Sequence, residues 1–134
     1  MTPEATLWKL FRGHLPRGAH AQRVETGGTG LGIPDINICC GGREIWVELK
    51  IVSGKQVRLS PEQVAWHFRR TNAGGQTYVV ARNKFDGVRK GKGDEIYVWP
   101  GSCAIAVQEN GIQAEGGQMF TAPFDWDKIM QLIF

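Results

Sequence analysis

From Glu44 to Val52 the chain alternates strictly. Ile45, Val47, Leu49 and Ile51 fall on one side of an extended strand, and Trp46, Glu48, Lys50 and Val52 on the other. Gly41-Gly42 ahead of it is a hairpin-turn signal, and Asp35-Ile36-Asn37-Ile38-Cys39-Cys40 supplies the partner strand. Beyond it a polar loop leads into Ser60-Pro61-Glu62-Gln63, a capping box with proline at the first helical position. A helix is therefore expected to about Asn72, where Gly74-Gly75 stops it. Nearer the start, Leu7, Trp8, Leu10 and Phe11 recur at helical spacing behind an N-cap at Thr2 and a proline at the first turn, and Gly13 and Pro16 end that helix. Further strands are expected at Ala21 to Glu25, Thr77 to Ala81 and Glu95 to Trp99, the last after a basic, glycine-punctuated loop. Ser102 is read as the cap of a short helix ending at Asn110-Gly111, and Asp125 as the cap of a last helix from Trp126 to Phe134.

The chain has 134 residues, 42% of them hydrophobic, enough for a self-standing core and a single domain. No apolar run approaches the ~18 residues of a membrane span, and the N-terminus has no secretion-signal pattern, so a soluble, cytoplasmic protein with no membrane partner is expected. The three cysteines, two of them adjacent (Cys39, Cys40), have no metal-ligand spacing and are read as free thiols on strands in a reducing compartment. The net charge of +3 hides an asymmetry. Residues 1–93 carry fifteen Lys/Arg against seven Asp/Glu, and residues 94–134 one against six, which makes the first part a candidate polyanion surface.

Gly27, Gly28, Gly30 and Gly32 look like a phosphate cradle, but neither the GxxxxGK[ST] pattern nor a following helix is present. No nucleotide cofactor is expected, and the run is read as a loop whose backbone can approach a ligand closely. The chemistry lies further on. A hairpin through Gly41-Gly42 can bring Asp35 and Glu48 to the same edge of the sheet, where two carboxylates repel unless a cation sits between them. Such an oxygen-rich site selects a hard divalent ion, Mg2+ or Mn2+. Lys50, on the face of Glu48, can hold a water or offset charge growing on a phosphate. Singly, a Glu-x-Lys in an alternating strand reads as a solvated face and Pro-Asp as a turn start; their conjunction outlines a phosphodiester-cleaving site.

Gly32-Ile33-Pro34-Asp35 followed by Glu48-Leu49-Lys50 resembles the PD-(D/E)xK nuclease superfamily. The continuation Leu59-Ser60-Pro61-Glu62-Gln63-Val64-Ala65-Trp66 looks like its small virus-type VRR-Nuc and Holliday-junction-resolvase-like members. The resemblance covers about residues 4–82 and implies an α/β, restriction-endonuclease-like core, a mixed central β-sheet flanked by helices, with residues 94–134 as an extension. It implies that Asp35 and Glu48 bind the metal together with the Leu49 carbonyl, that Lys50 is the catalytic lysine, and that Glu4 is the further acid the family draws from its first helix. Glu25 is a rival for that last role, and Glu4 also suits a helix N-terminus. Gln63 matches a glutamine that recurs after the ExK strand, although the capping box alone explains it. Lys55, Arg58, Arg69 and Arg70 are candidate phosphate contacts. His14, His20 and His67 are left outside the site, and Trp46 is a candidate wall of the cleft.

These residues lead to a magnesium-dependent, structure-selective endonuclease acting on branched or junction DNA and leaving a 5′ phosphate, as the resemblance implies. A two-fold homodimer would match the two strands of a junction, and the small size hints at a phage protein acting in a bacterial host. A duplex nickase or restriction-like enzyme would use the same residues. A non-catalytic DNA-binding module would keep the basic surface alone, and it gives no reason for two acids facing a phosphate.

Overall fold

The Thr2 hydroxyl accepts the Ala5 N–H at 3.1 Å and so starts the first helix, α1 (Pro3–Arg12), with proline in its first turn. The computed structural model describes residues 1–25, 31–84 and 93–134. Among the described residues six strands follow in chain order: β1 (His20–Arg23), β2 (Ile36–Cys40), β3 (Arg43–Ile51), β4 (Gln76–Asn83), β5 (Glu95–Pro100) and β6 (Gln118–Thr121). They lie side by side in that same order, and every neighbouring pair is antiparallel except β3 with β4. A parallel pair needs a crossover, and α2 (Pro61–Asn72) supplies it. Its capping box is complete: the Ser60 hydroxyl accepts the Gln63 N–H at 3.1 Å, and Gln63 Oε1 accepts the Ser60 N–H at 2.9 Å. A 3-10 turn at Gly101–Cys103 leads into α3 (Ala104–Asn110), and Asp125 caps α4 (Trp126–Ile133) by accepting the Lys128 N–H at 3.1 Å.

The alternation of β3 sorts its side chains between two cores. Ile45, Val47 and Leu49 join Leu7, Trp8 and Phe11 of α1 and Ile129, Met130 and Ile133 of α4 on one face of the sheet. On the other face Val79, Ala81 and Trp99 pack against Val64 of α2 and Ala104 and Val107 of α3. Helices thus cover both faces of a mixed sheet, the α/β arrangement expected. None of the helices among the described residues is long and apolar enough to cross a membrane.

Several boundaries differ from the sequence reading. β1 runs from His20 to Arg23 instead of Ala21 to Glu25, and Asp35 stands just outside β2. Cys39 and Cys40 are on a strand but Cys103 is in the 3-10 turn, and all three thiols are free. β6 was not expected at all. Residues 132–134 pack on this chain's own core, with Ile133 fully buried and Leu132 and Phe134 against it.

Gly32 has φ 86°, and a Cβ there would collide with the Glu62 carbonyl, so the segment entering β2 presses directly on the first turn of α2. The other glycines of that run, Gly27, Gly28 and Gly30, lie outside the described residues, as does most of the basic loop (85–92).

At Gly101 a Cβ would overlap the Thr77 hydroxyl and stand 2.9 Å from His67 Nδ1. Gly101→Ala is therefore expected to lower stability by about 1–3 kcal/mol through overpacking. The check is a lower urea midpoint at an unchanged m-value.

Candidate active site

Pairing of Ile36 with Val47 in the β2–β3 ladder brings the residue before Ile36 level with the residue after Val47. Those residues are Asp35 and Glu48. Asp35 is held on two sides: its Oδ2 accepts the Leu49 N–H at 3.0 Å, and its carbonyl accepts the Val24 N–H at 2.7 Å. In extended backbone a residue's C=O faces the same way as its N–H, so the Leu49 carbonyl is directed to the edge where Asp35 stands.

Glu48 is only 1% exposed, although its side chain lies on the sheet face opposite the α1–α4 core. Burial comes first, then the hydrogen bond to Asp35 and the Asp35 charge, in pushing its carboxyl up to about 10. The Lys50 ammonium pulls the other way, and Glu4 adds a smaller upward push. At neutral pH the bare pair therefore keeps a proton. Glu48 Oε1 is buried with no hydrogen-bond partner among the described residues.

That arrangement fits a hard divalent cation: two juxtaposed carboxyl groups, one oxygen of which lacks a partner, with a backbone carbonyl at the same edge. No set of three His, Cys, Asp or Glu side chains gathers tightly enough to enclose an ion among the described residues. A cation placed there would draw on two carboxylates and a carbonyl, with water completing its coordination.

Lys50 is half-buried, on the face of Glu48, and within ion-pair distance of no carboxylate among the described residues. Glu4 is exposed in the first turn of α1, near enough for its charge to act on Glu48 but outside any ligand cluster. Glu25 is exposed. Gln63 has its carbonyl oxygen committed to the capping box, which leaves only its amide NH2 for another partner. Lys55 and Arg58 are exposed on the β3–α2 connection, whose backbone is fastened where the Ile112 N–H donates to the Lys55 carbonyl at 2.9 Å. Arg69 and Arg70 are exposed near the end of α2, and the Arg70 guanidinium lies 4.6 Å from the centre of the Trp66 ring.

His67, left out of the site by sequence reasoning, is fully buried on α2, on the sheet face that carries Glu48. Its Nδ1 is 2.8 Å from the Thr77 hydroxyl, and its Nε2 has no partner among the described residues. Burial, aided by the Lys50 charge, lowers its pKa to about 4, so the ring is neutral at pH 7. The available signal was position: His67 lies one turn after Gln63 and three residues after Val64, on the inward stripe of the helix that follows the Glu-x-Lys strand.

No family model matches the chain, and no curated protein sequence matches it. Among solved structures it is similar to Hjc, a Holliday junction resolvase from the archaeal hyperthermophile Archaeoglobus fulgidus. The TM-score is 0.52 and the identity 17%, over 98% of this chain and 97% of that one. At that identity the likeness shows the fold, which is the restriction-endonuclease-like α/β fold.

Because the folded-state pKa of His67 is depressed from 6.5 to about 4, its contribution to stability is present above pH 6.5 and is lost as pH falls towards 4. Wild type should lose stability across that window more steeply than His67→Gln, by at most about 1.4 kcal/mol per pH unit. Denaturant titrations of both proteins at each pH read the difference.

Proposed function

We propose that this chain is a divalent-metal-dependent DNA endonuclease that cuts phosphodiester bonds at branched structures such as four-way junctions. The observation that carries the reading is the Asp35–Glu48 carboxyl pair where β2 meets β3, Glu48 buried and Asp35 half-buried, with Lys50 on the face of Glu48. Such a pair is costly without a cation, and the fold likeness to a Holliday junction resolvase supports reading it as a nuclease site.

Asp35, Glu48 and the Leu49 carbonyl would hold Mg2+, with Mn2+ able to substitute. When bound, the ion supplies an acidified water and neutralises charge on the phosphate. The Leu49 N–H fixes the Asp35 carboxylate in place, and Glu48 gives up its proton when the pair takes a cation. The Lys50 ammonium, with no carboxylate of its own, orients the attacking water and offsets charge growing on the phosphoryl oxygens. Lys55 and Arg58 would track the flanking phosphates. Glu4 would contribute at longer range, and Gln63 through its amide NH2. A two-fold dimer would offer one site to each of the two strands of a junction. The VRR-Nuc-like narrowing of this proposal rests on Leu59 to Trp66.

Cleavage of end-labelled four-way junction, flap, duplex and single strand, with Mg2+ and with EDTA, tests this. Metal-dependent cutting that favours the junction is expected, and Asp35→Asn, Glu48→Gln and Lys50→Ala should each reduce it by at least about a hundredfold. Equal cutting of duplex would favour a nickase or restriction-like enzyme, and full activity in EDTA would end the metal reading.

A readout independent of activity is thermal unfolding. Mn2+ should raise the wild-type Tm, by the equivalent of about 2.7 kcal/mol at a hundred times its dissociation constant, and leave Asp35→Asn unmoved.

A further inference from the structure

We propose that the end of α2 carries a seat for one unpaired nucleobase beside the carboxyl pair, and that this seat makes the protein prefer opened or branched DNA to intact duplex. The proposal rests on the nuclease reading above and names what would give it selectivity. Trp46 of β3 and Trp66 of α2 meet edge to face, ring centres 5.4 Å apart at 62°. The Arg70 guanidinium lies over both, 4.6 Å from the Trp66 ring and 5.8 Å from the Trp46 ring. One helical turn separates Trp66 from Arg70, which puts them on the same strip of α2. The Arg70 stem is held as well: a Cβ on Gly75 would press on its Cγ and Cδ, and the Gly75 N–H donates to the Arg70 carbonyl at 2.9 Å.

This is a poor arrangement for a simple charge. Arg70 is exposed and pairs with no carboxylate among the described residues, where the ion pair is Arg82 with Asp94. Its guanidinium lies over indole while the residue stays exposed, beside a cavity of about 230 Å³ lined by Trp66, Arg69, Arg70 and Ala73. Planar arginine and aromatic faces of this kind accept stacked bases without regard to sequence. The Trp46 indole N–H, beneath the stack, is buried with no partner among the described residues.

Distance ties the stack to the site. Trp46 precedes Glu48 by two residues on the same face of β3, about 7 Å along the strand. The end of α2 lies towards the start of β3, so a DNA strand with a phosphate at the carboxyl pair would reach the seat with a base one or two nucleotides along. In duplex that base must first leave its stack and its partner, whereas at a branch point it is already open, so the seat rewards the branched substrate.

The test is binding of a labelled four-way junction and a linear duplex of the same sequence in EDTA, which separates binding from cleavage. Arg70→Lys keeps the charge and loses the plane, on an exposed residue whose replacement spares the fold; Trp66→Phe and Trp66→Ala shorten or remove the platform. Arg70→Lys and Trp66→Ala should weaken junction binding about tenfold and leave duplex binding within about twofold, with Trp66→Phe between them and wild type. Tryptophan fluorescence should be quenched by the junction and less so in Trp66→Ala. Wild-type preference in Arg70→Lys, or parallel losses on both DNAs, would overturn the seat while metal-dependent cutting still upheld the nuclease reading. No binding to either DNA would overturn both.

Discussion

The Glu48 carboxyl is carried to the middle of the sheet by a strand whose alternate residues belong to the hydrophobic core, and burying an acid there costs several kcal/mol unless something shares the charge. In the bare protein a proton shared with Asp35 does so. The hairpin register makes that sharing possible: a one-residue slip of Ile36 against Val47 would turn Glu48 into the α1–α4 core and take Asp35 away from it. The same register delivers the Leu49 N–H to Asp35, so a single ladder both places the second acid and orients the first. Ile36, Ile38, Ile45 and Val47, all fully buried, hold that ladder in place, which makes the core under the site part of its electrostatics.

The C-terminal part of the chain acts as the buttress of this site. Gln108 of α3 donates to the Leu59 carbonyl at 3.0 Å, and the turn after α3 holds the Lys55 carbonyl, so the connection carrying Lys55 and Arg58 is tied at two points. Gly101, which begins the turn before α3, packs on Thr77 and His67 and so fixes how closely α2 lies on the sheet. Loops that carry functional charges need a rigid base, and here the base comes from a segment contributing almost no positive charge itself.

Features written in one stretch of chain were readable from it: the alternation of β3, the Gly41-Gly42 turn, and the side-chain caps at Thr2, Ser60 and Asp125. Features that depend on a distant partner were not. β6 is four residues with no alternating pattern, three of them exposed, and it is a strand because β5 offers it a free edge. The inward stripe of α2 marks His67 as buried, but its partners Thr77 and Gly101 lie ten and thirty-four positions away in sequence. Arg70 read as an ordinary phosphate contact because nothing in the helix announces Trp46, which arrives from β3. Asp35 and Glu48 were readable because two local signals, a turn and an alternation, together fix a non-local pairing.

Charge follows the same division of labour. Three of the six acids of the C-terminal part are tied into the structure: Asp94 pairs with Arg82, Glu95 accepts the Tyr97 hydroxyl at 2.9 Å, and Asp125 caps α4. Lys50, Lys55, Arg58, Arg69 and Arg70 have no carboxylate within ion-pair distance among the described residues. Residues 1–93, which carry the site, hold fifteen Lys/Arg against seven Asp/Glu, so the field there is more positive than the net +3 of the chain suggests. That field draws in a polyanion of any shape and weakens with salt. On the proposed reading, discrimination among shapes would therefore come from short-range contacts that only an opened strand can make.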